Sequence, residues 1–198
     1  MKAKIAAIVL TATLVLIAPA CVFAQYETNT RMPLGIGVSA MVPFGTELQD
    51  LKSVWTGATL YWNATFDELD RPNLMVSVAW LSESSGPTSA RVIPIKATYI
   101  KRFGEEEACW YVGAGVDLYY AKYAAPSYYF DVEQFNTTAV MTTDSGLVPG
   151  VNLVVGREFG GGWFAEIRDD FVSKLSHGTG GHVDFSGWSL SLGSRAAF

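Results

Sequence analysis

The residues able to do chemistry are few, and they stand apart. The chain's two histidines, His177 and His182, fall in and beside the Gly-rich segment Ser176–Gly181, close to Ser176 and Asp184. An esterase needs a base held within hydrogen-bond reach of a hydroxyl nucleophile, and a glycine loop preorganises nothing. Solvated loop histidines, and no enzymatic activity, are the expectation. Gly113-x-Gly115 lacks the helix that a phosphate cradle requires and reads as close packing. No Cys/His cluster has metal spacing, so neither metal nor other cofactor is expected. What remains is a scatter of charges set singly among small and apolar residues: Lys96, Arg102, Asp117, Glu158, Glu166, Arg168 and Arg195. Charges taken out of water persist only when paired and hydrogen-bonded. Their chemistry is that of a packed ionic network, with Glu166 and Arg168 as its firmest members.

Something must turn those charges inward together, and the hydrophobic period shows what. The 198 residues are 49% hydrophobic and only 17% charged, against about 25% charged in an ordinary soluble domain. Lys2 and Lys4 precede an apolar run from Ile5 to Ile17, then Pro19 and the small-residue site Val22-Phe23-Ala24. Residues 1–24 therefore read as a signal peptide cleaved before Gln25, with 25–198 as one domain. Losing two lysines takes the formal charge from −5 to −7, which argues against a nucleic-acid partner. Cys21 leaves with the signal, and Cys109 reads as a small apolar filler.

From Leu34 on, apolar residues recur with period two. Strands are predicted at 34–43, 55–66, 73–82, 91–103, 108–122, 146–158, 163–172 and 185–198. In the fifth, Trp110, Val112, Ala114, Val116 and Leu118 oppose Tyr111, Gly113, Gly115, Asp117 and Tyr119. Alternate gaps between strands are short (67–72, 104–107 and 159–162), and the others are long. An up-and-down arrangement puts the short ones at one end, the asymmetry of an outer-membrane barrel. The expected fold is all-β: an eight-stranded antiparallel transmembrane β-barrel.

Aromatics mark the expected interfaces. Phe66, Phe103, Trp110, Phe159, Trp163 and Phe198 lie at the short-turn end with the parity of the apolar faces, as a periplasmic girdle would. Phe44, Trp55, Trp80, Tyr120, Phe171 and Phe185 are candidates for a looser ring at the loop end. The opposite faces carry Gly, Ser, Thr, Asn and Tyr with a few ions, so the apolar faces are expected to meet lipid and the small polar ones to fill a narrow lumen. Three residues fit badly. Asp169 shares the outward parity, so either the seventh strand ends early or a bulge flips its register. Pro94 and Pro149 each remove a ladder hydrogen bond near the loop end, either as frayed strand starts or as a lateral opening.

The stretches Ile93-Pro94-Ile95-Lys96-Ala97-Thr98-Tyr99, Tyr111-Val112-Gly113-Ala114-Gly115-Val116, Gly146-Leu147-Val148-Pro149-Gly150-Val151 and Trp163-Phe164-Ala165-Glu166-Ile167-Arg168 resemble those of the small OmpX- and OmpW-like outer-membrane barrels of Gram-negative-type bacteria. The resemblance implies export to the outer membrane and assembly through a carboxy-terminal strand ending in Phe198, read by the barrel-assembly machinery. Some barrels of this size modify lipids. The resemblance to deacylases would place His-x-Ser in the seventh strand, where this chain has Phe171-Val172-Ser173.

Eight strands leave a lumen filled by side chains, so a general porin is not expected. The first expectation is a surface-interaction role carried by the loops. The segment 123–145 leads, because Tyr128, Tyr129, Phe130 and Phe135 suit contact with an extracellular partner. The alternative for its tyrosines is that they extend strand five. A conduit for small hydrophobic molecules through an opening at Pro94 or Pro149 is the second functional reading, and a lipid-modifying enzyme the third.

Overall fold

Period-two alternation with small residues on one side builds long strands that curl until the last meets the first. A computed structural model of the chain describes residues 34–66, 72–103, 109–131, 136–178 and 181–196. The expected signal peptide, residues 1–24, lies outside them. The elements are β1 (Leu34–Pro43), α1 (Thr46–Leu51), β2 (Trp55–Phe66), β3 (Pro72–Ser85), β4 (Thr88–Phe103), β5 (Trp110–Asp131), β6 (Asn136–Glu158), β7 (Trp163–Val172), β8 (Leu175–His177), β9 (Gly181–Val183) and β10 (Gly187–Ala196). Eight of these strands close a barrel in the order β1-β10-β7-β6-β5-β4-β3-β2, and β8 with β9 forms a separate hairpin. Every wall pairing is antiparallel. The barrel has no open edge along its paired height, which removes the hazard of exposed strand edges there.

Parity divides the wall cleanly. In β6, Asn152 and Val154 are buried while Val151, Leu153 and Val155 are exposed. Leu60, Trp62, Val116 and Ile167 are each more than half exposed on the outward face. A continuous apolar exterior of this kind is a surface for lipid, not water. At the short-turn end the link from β6 to β7 is a tight turn through Gly160–Gly162. Gly161 and Gly162 adopt φ of 75° and 79°, which favours residues without a Cβ.

At the loop end the strands run further than their periodicity predicts. β3 and β4 continue to Ser85 opposite Thr88, around Gly86 at φ 56°. β5 and β6 stay paired from Trp110 opposite Arg157 to Asp131 opposite Asn136. The expected loop 123–145 is therefore mostly a β-ribbon, and the strand-extension alternative describes Tyr123, Tyr128 and Tyr129. Above the wall the hairpin has no lipid to face, so the apolar alternation lapses. The Thr-rich run Asn136–Thr143 still has strong β-propensity.

Of the three misfits, Asp169 departs from both readings. Asp169 lies opposite Leu153 and Trp188 in unshifted register, and β7 runs on to Val172. Neither an early exit nor a bulge occurs, and a half-buried carboxylate faces outward with Oδ1 unpartnered. Pro94 is buried on the inward face. Pairing lapses beside it, yet Val78 opposite Ile95 and Leu81 opposite Val92 keep one register. Pro149 stands where β6 parts from β7, its carbonyl accepting from the Ser173 N–H at 2.9 Å. Pro94 thus interrupts the ladder within one register, and Pro149 marks the level at which β6 leaves β7.

Candidate functional site

The lumen is built in three levels. Nearest the short turns, the Arg102 guanidinium grips the Glu158 carboxylate with two hydrogen bonds, Nε to Oε2 at 2.8 Å and Nη2 to Oε1 at 2.7 Å. The Cys109 thiol donates to the same carboxylate at 3.1 Å, so this buried cysteine has a polar role that a simple filler lacks. The Arg102 side chain also lies 5.9 Å from the Tyr111 ring centre.

The middle level gathers charges from opposite walls. Glu166 accepts from the Tyr111 hydroxyl at 2.9 Å, the Tyr61 hydroxyl at 3.3 Å and Arg168 Nη2 at 3.1 Å. Arg168 Nη1 donates to Thr98 Oγ1 and Asn152 Oδ1, both at 2.8 Å. Asn152 donates in turn to Asp117, and Lys96 forms an ion pair with Asp170. Glu166, Arg168, Asp117 and Lys96 thus meet in one cluster, and Arg102 with Glu158 forms the pair beneath it. Arg195 is placed by its backbone opposite Gly35, and its side chain is outside the description. Asp170, Tyr61 and Tyr111 belong to the cluster but were not singled out from sequence, although Asp170 has the same parity as Glu166 and Arg168. A cavity of about 30 Å³ lies here, lined among others by Ser39, Thr59, Lys96, Tyr119 and Asp170. That is room for about two waters.

The loop-end level is apolar. Met41, Trp55, Leu81, Val92, Tyr119 and Val148 meet Leu48 of α1 and Leu175, Val183 and Phe185 of the β8–β9 region in one buried cluster. The Trp55 indole N–H points at the carbonyls of Lys52 and Leu48, 3.0 and 3.3 Å away. Trp55 and Phe185 are fully buried, so they plug the barrel mouth and do not join an outer ring. Phe44, Trp80, Tyr120 and Phe171 remain exposed.

At the short-turn end Phe103, Trp110 and Phe159 are exposed and Trp163 is half-buried. The side chain of Phe66 and all of Phe198 lie outside the description. Arg157, absent from the expected girdle, reaches within 5.4 Å of both the Trp110 and Phe159 rings. Among the described residues no group of three or more His, Cys, Asp or Glu is placed to hold a metal ion.

Above the barrel, the β5–β6 ribbon leans on the β8–β9 hairpin. His177 Nδ1 bonds Asp144 Oδ2 at 2.7 Å, Gly178 N–H donates to the same oxygen at 3.1 Å, and the His177 ring meets Tyr123 edge-on. His177 is thus drawn to Asp144, whereas Ser176 and Asp184 were the partners considered from sequence. His182 is exposed. Tyr128 is 70% exposed. Tyr129 and Phe130 continue β5, their side chains outside the description, as is Phe135. Beyond Gly150 opposite Val172, no described strand pairs with the outer edge of β6.

Fold and lumen together define a closed eight-stranded antiparallel barrel with a lipophilic wall, a salt-bridged interior and a plugged mouth. No protein-family model matches the chain, and no curated protein matches it. Among solved structures it is similar to the N-terminal β-barrel domain of Pseudomonas aeruginosa OprF, 14% identical, covering 80% of this chain and 93% of that one with a TM-score of 0.40. It is also similar to Neisserial surface protein A, 13% identical, covering 83% and 97% with a TM-score of 0.46.

Proposed function

We propose that the chain is exported by residues 1–24, assembles in a bacterial outer membrane, and serves there as a non-enzymatic surface-interaction protein. The apolar exterior supports the membrane reading, and the filled lumen supports a role other than general permeation. One observation carries the interaction role: among the described residues no strand pairs with the outer edge of β6 from Asn136 to Thr143. That edge contains neither Pro nor Lys, the residues that blunt natural edges. The partner is an extracellular polypeptide that adds an extended strand to it.

Backbone parity makes this testable. Pro149 accepts from β7 through its carbonyl, and peptide groups on one side of a strand recur at every second residue. The N–H groups of Ala139, Met141 and Thr143 therefore face the free edge, and that of Thr142 faces β5. Met141→Pro should leave the ribbon paired and abolish adhesion of cells displaying the protein to protein-coated surfaces. Thr142→Pro should disrupt the ribbon itself. Adhesion unaffected by Met141→Pro would remove the edge from the account. Replacing 126–142 by a short Gly/Ser turn should likewise abolish adhesion while leaving assembly intact.

A further inference from the structure

Arg91 on β4 lies directly opposite Lys122 on β5, and both side chains are exposed on the outward face. Like charges in directly opposed positions destabilise a sheet. Glu83 on β3 and Asp144 on β6 have the opposite, inward parity and are paired with Lys52 and His177. Among the described residues neither cation has an acidic partner.

The pair also stands at a boundary. Toward the short turns the next outward residues are Ile93 and Ile95 on β4 and Tyr120 and Leu118 on β5, the start of the apolar wall. The Arg91 guanidinium is 4.8 Å from the centre of the exposed Trp80 ring. Ser82 lies opposite Arg91 and Ser145 opposite Lys122, both exposed. A planar donor fork, an ammonium point charge and two flanking hydroxyls therefore line up where the apolar band ends.

We propose that Arg91 and Lys122 bind the phosphate of a lipid headgroup in the leaflet at the loop end. Two cations suit a dianionic phosphomonoester, Arg through its fork and Lys as a point charge. Trp80 and Tyr120 lie alongside the upper acyl chains, as aromatics at a membrane interface do. The proposal rests on the membrane reading above, and the experiment separates the two.

The folded protein would be reconstituted in phosphatidylcholine vesicles with and without phosphatidic acid, and its unfolding midpoint read from the heat-modifiable gel band. Wild type should insert in both, with the midpoint raised by about 2–4 °C by phosphatidic acid. Arg91→Gln/Lys122→Gln should insert equally well in phosphatidylcholine and lose that rise. Lys101→Gln/Arg157→Gln, at the opposite rim, should keep it. Failure of wild type to insert would overturn the membrane reading and this site with it. Insertion with no rise, or an equal loss in both double variants, would overturn the site alone. So would a rise reproduced in detergent micelles by inorganic phosphate, which would make the ligand a free anion.

Discussion

Replacing Glu166 by Ala is expected to cost about 3–5 kcal/mol of folding stability, the usual consequence of removing one partner from a buried ion pair. The Glu166 carboxylate is 2% exposed and receives Tyr61, Tyr111 and Arg168. Alanine leaves two phenolic donors and a guanidinium without it, beside a cavity with room for about two waters. Glu166→Gln should cost less, because its amide oxygen still accepts from one tyrosine and its N–H can donate to the other hydroxyl, although it cannot neutralise Arg168. The midpoint of the heat-modifiable band reads both. Unchanged midpoints would mean that lumen water solvates these groups and that the cluster does not hold the walls together.

The second large effect is expected at the mouth. Trp55→Ala should lower stability by about 3–5 kcal/mol, as large-to-small changes of buried aromatics do. It also removes the indole bonds to the Leu48 and Lys52 carbonyls, so α1 should come loose. A protease cleaving at Lys52 should then cut the variant folded in micelles much faster than wild type. Equal cleavage rates would show that α1 is held by something other than the plug.

The two effects differ in how visible they were beforehand. Glu166 and Arg168 stand two apart in a strand, so parity alone puts both inside. Their partners Thr98 and Asn152 come from β4 and β6, and Lys96 meets Asp170 from β4 to β7. Such pairings depend on barrel closure and shear, which alternation does not encode. The bounds of β1, β2 and β7 follow from alternation because one face of each is apolar along most of its length, Asp169 in β7 and Thr56 in β2 being the exceptions. Those of β5 and β6 do not, since the ribbon leaves lipid and loses its apolar face. Trp55 was legible and misread. Its odd number sets it opposite the apolar face of β2, which is even-numbered at Ala58, Leu60 and Trp62, and parity should have outweighed its position near the rim. Phe185 stands in the same relation to Trp188 and Leu190. The inward carboxylate of Asp170 was open to the same reasoning.

The central claim is a barrel that crosses the membrane with its β3–β4 tip outside and its short turns inside. The most direct measurement is labelling of single cysteines on intact cells by a membrane-impermeant maleimide, in a Cys109→Ser background that keeps a donor to Glu158. The two positions are Ser85, at the tip of β3, and Glu106, in the connection from β4 to β5. The account predicts labelling at Ser85 on intact cells, with Glu106 reacting only after permeabilisation. Labelling at Glu106 but not Ser85 on intact cells, or recovery of the folded protein in the soluble fraction, would contradict it.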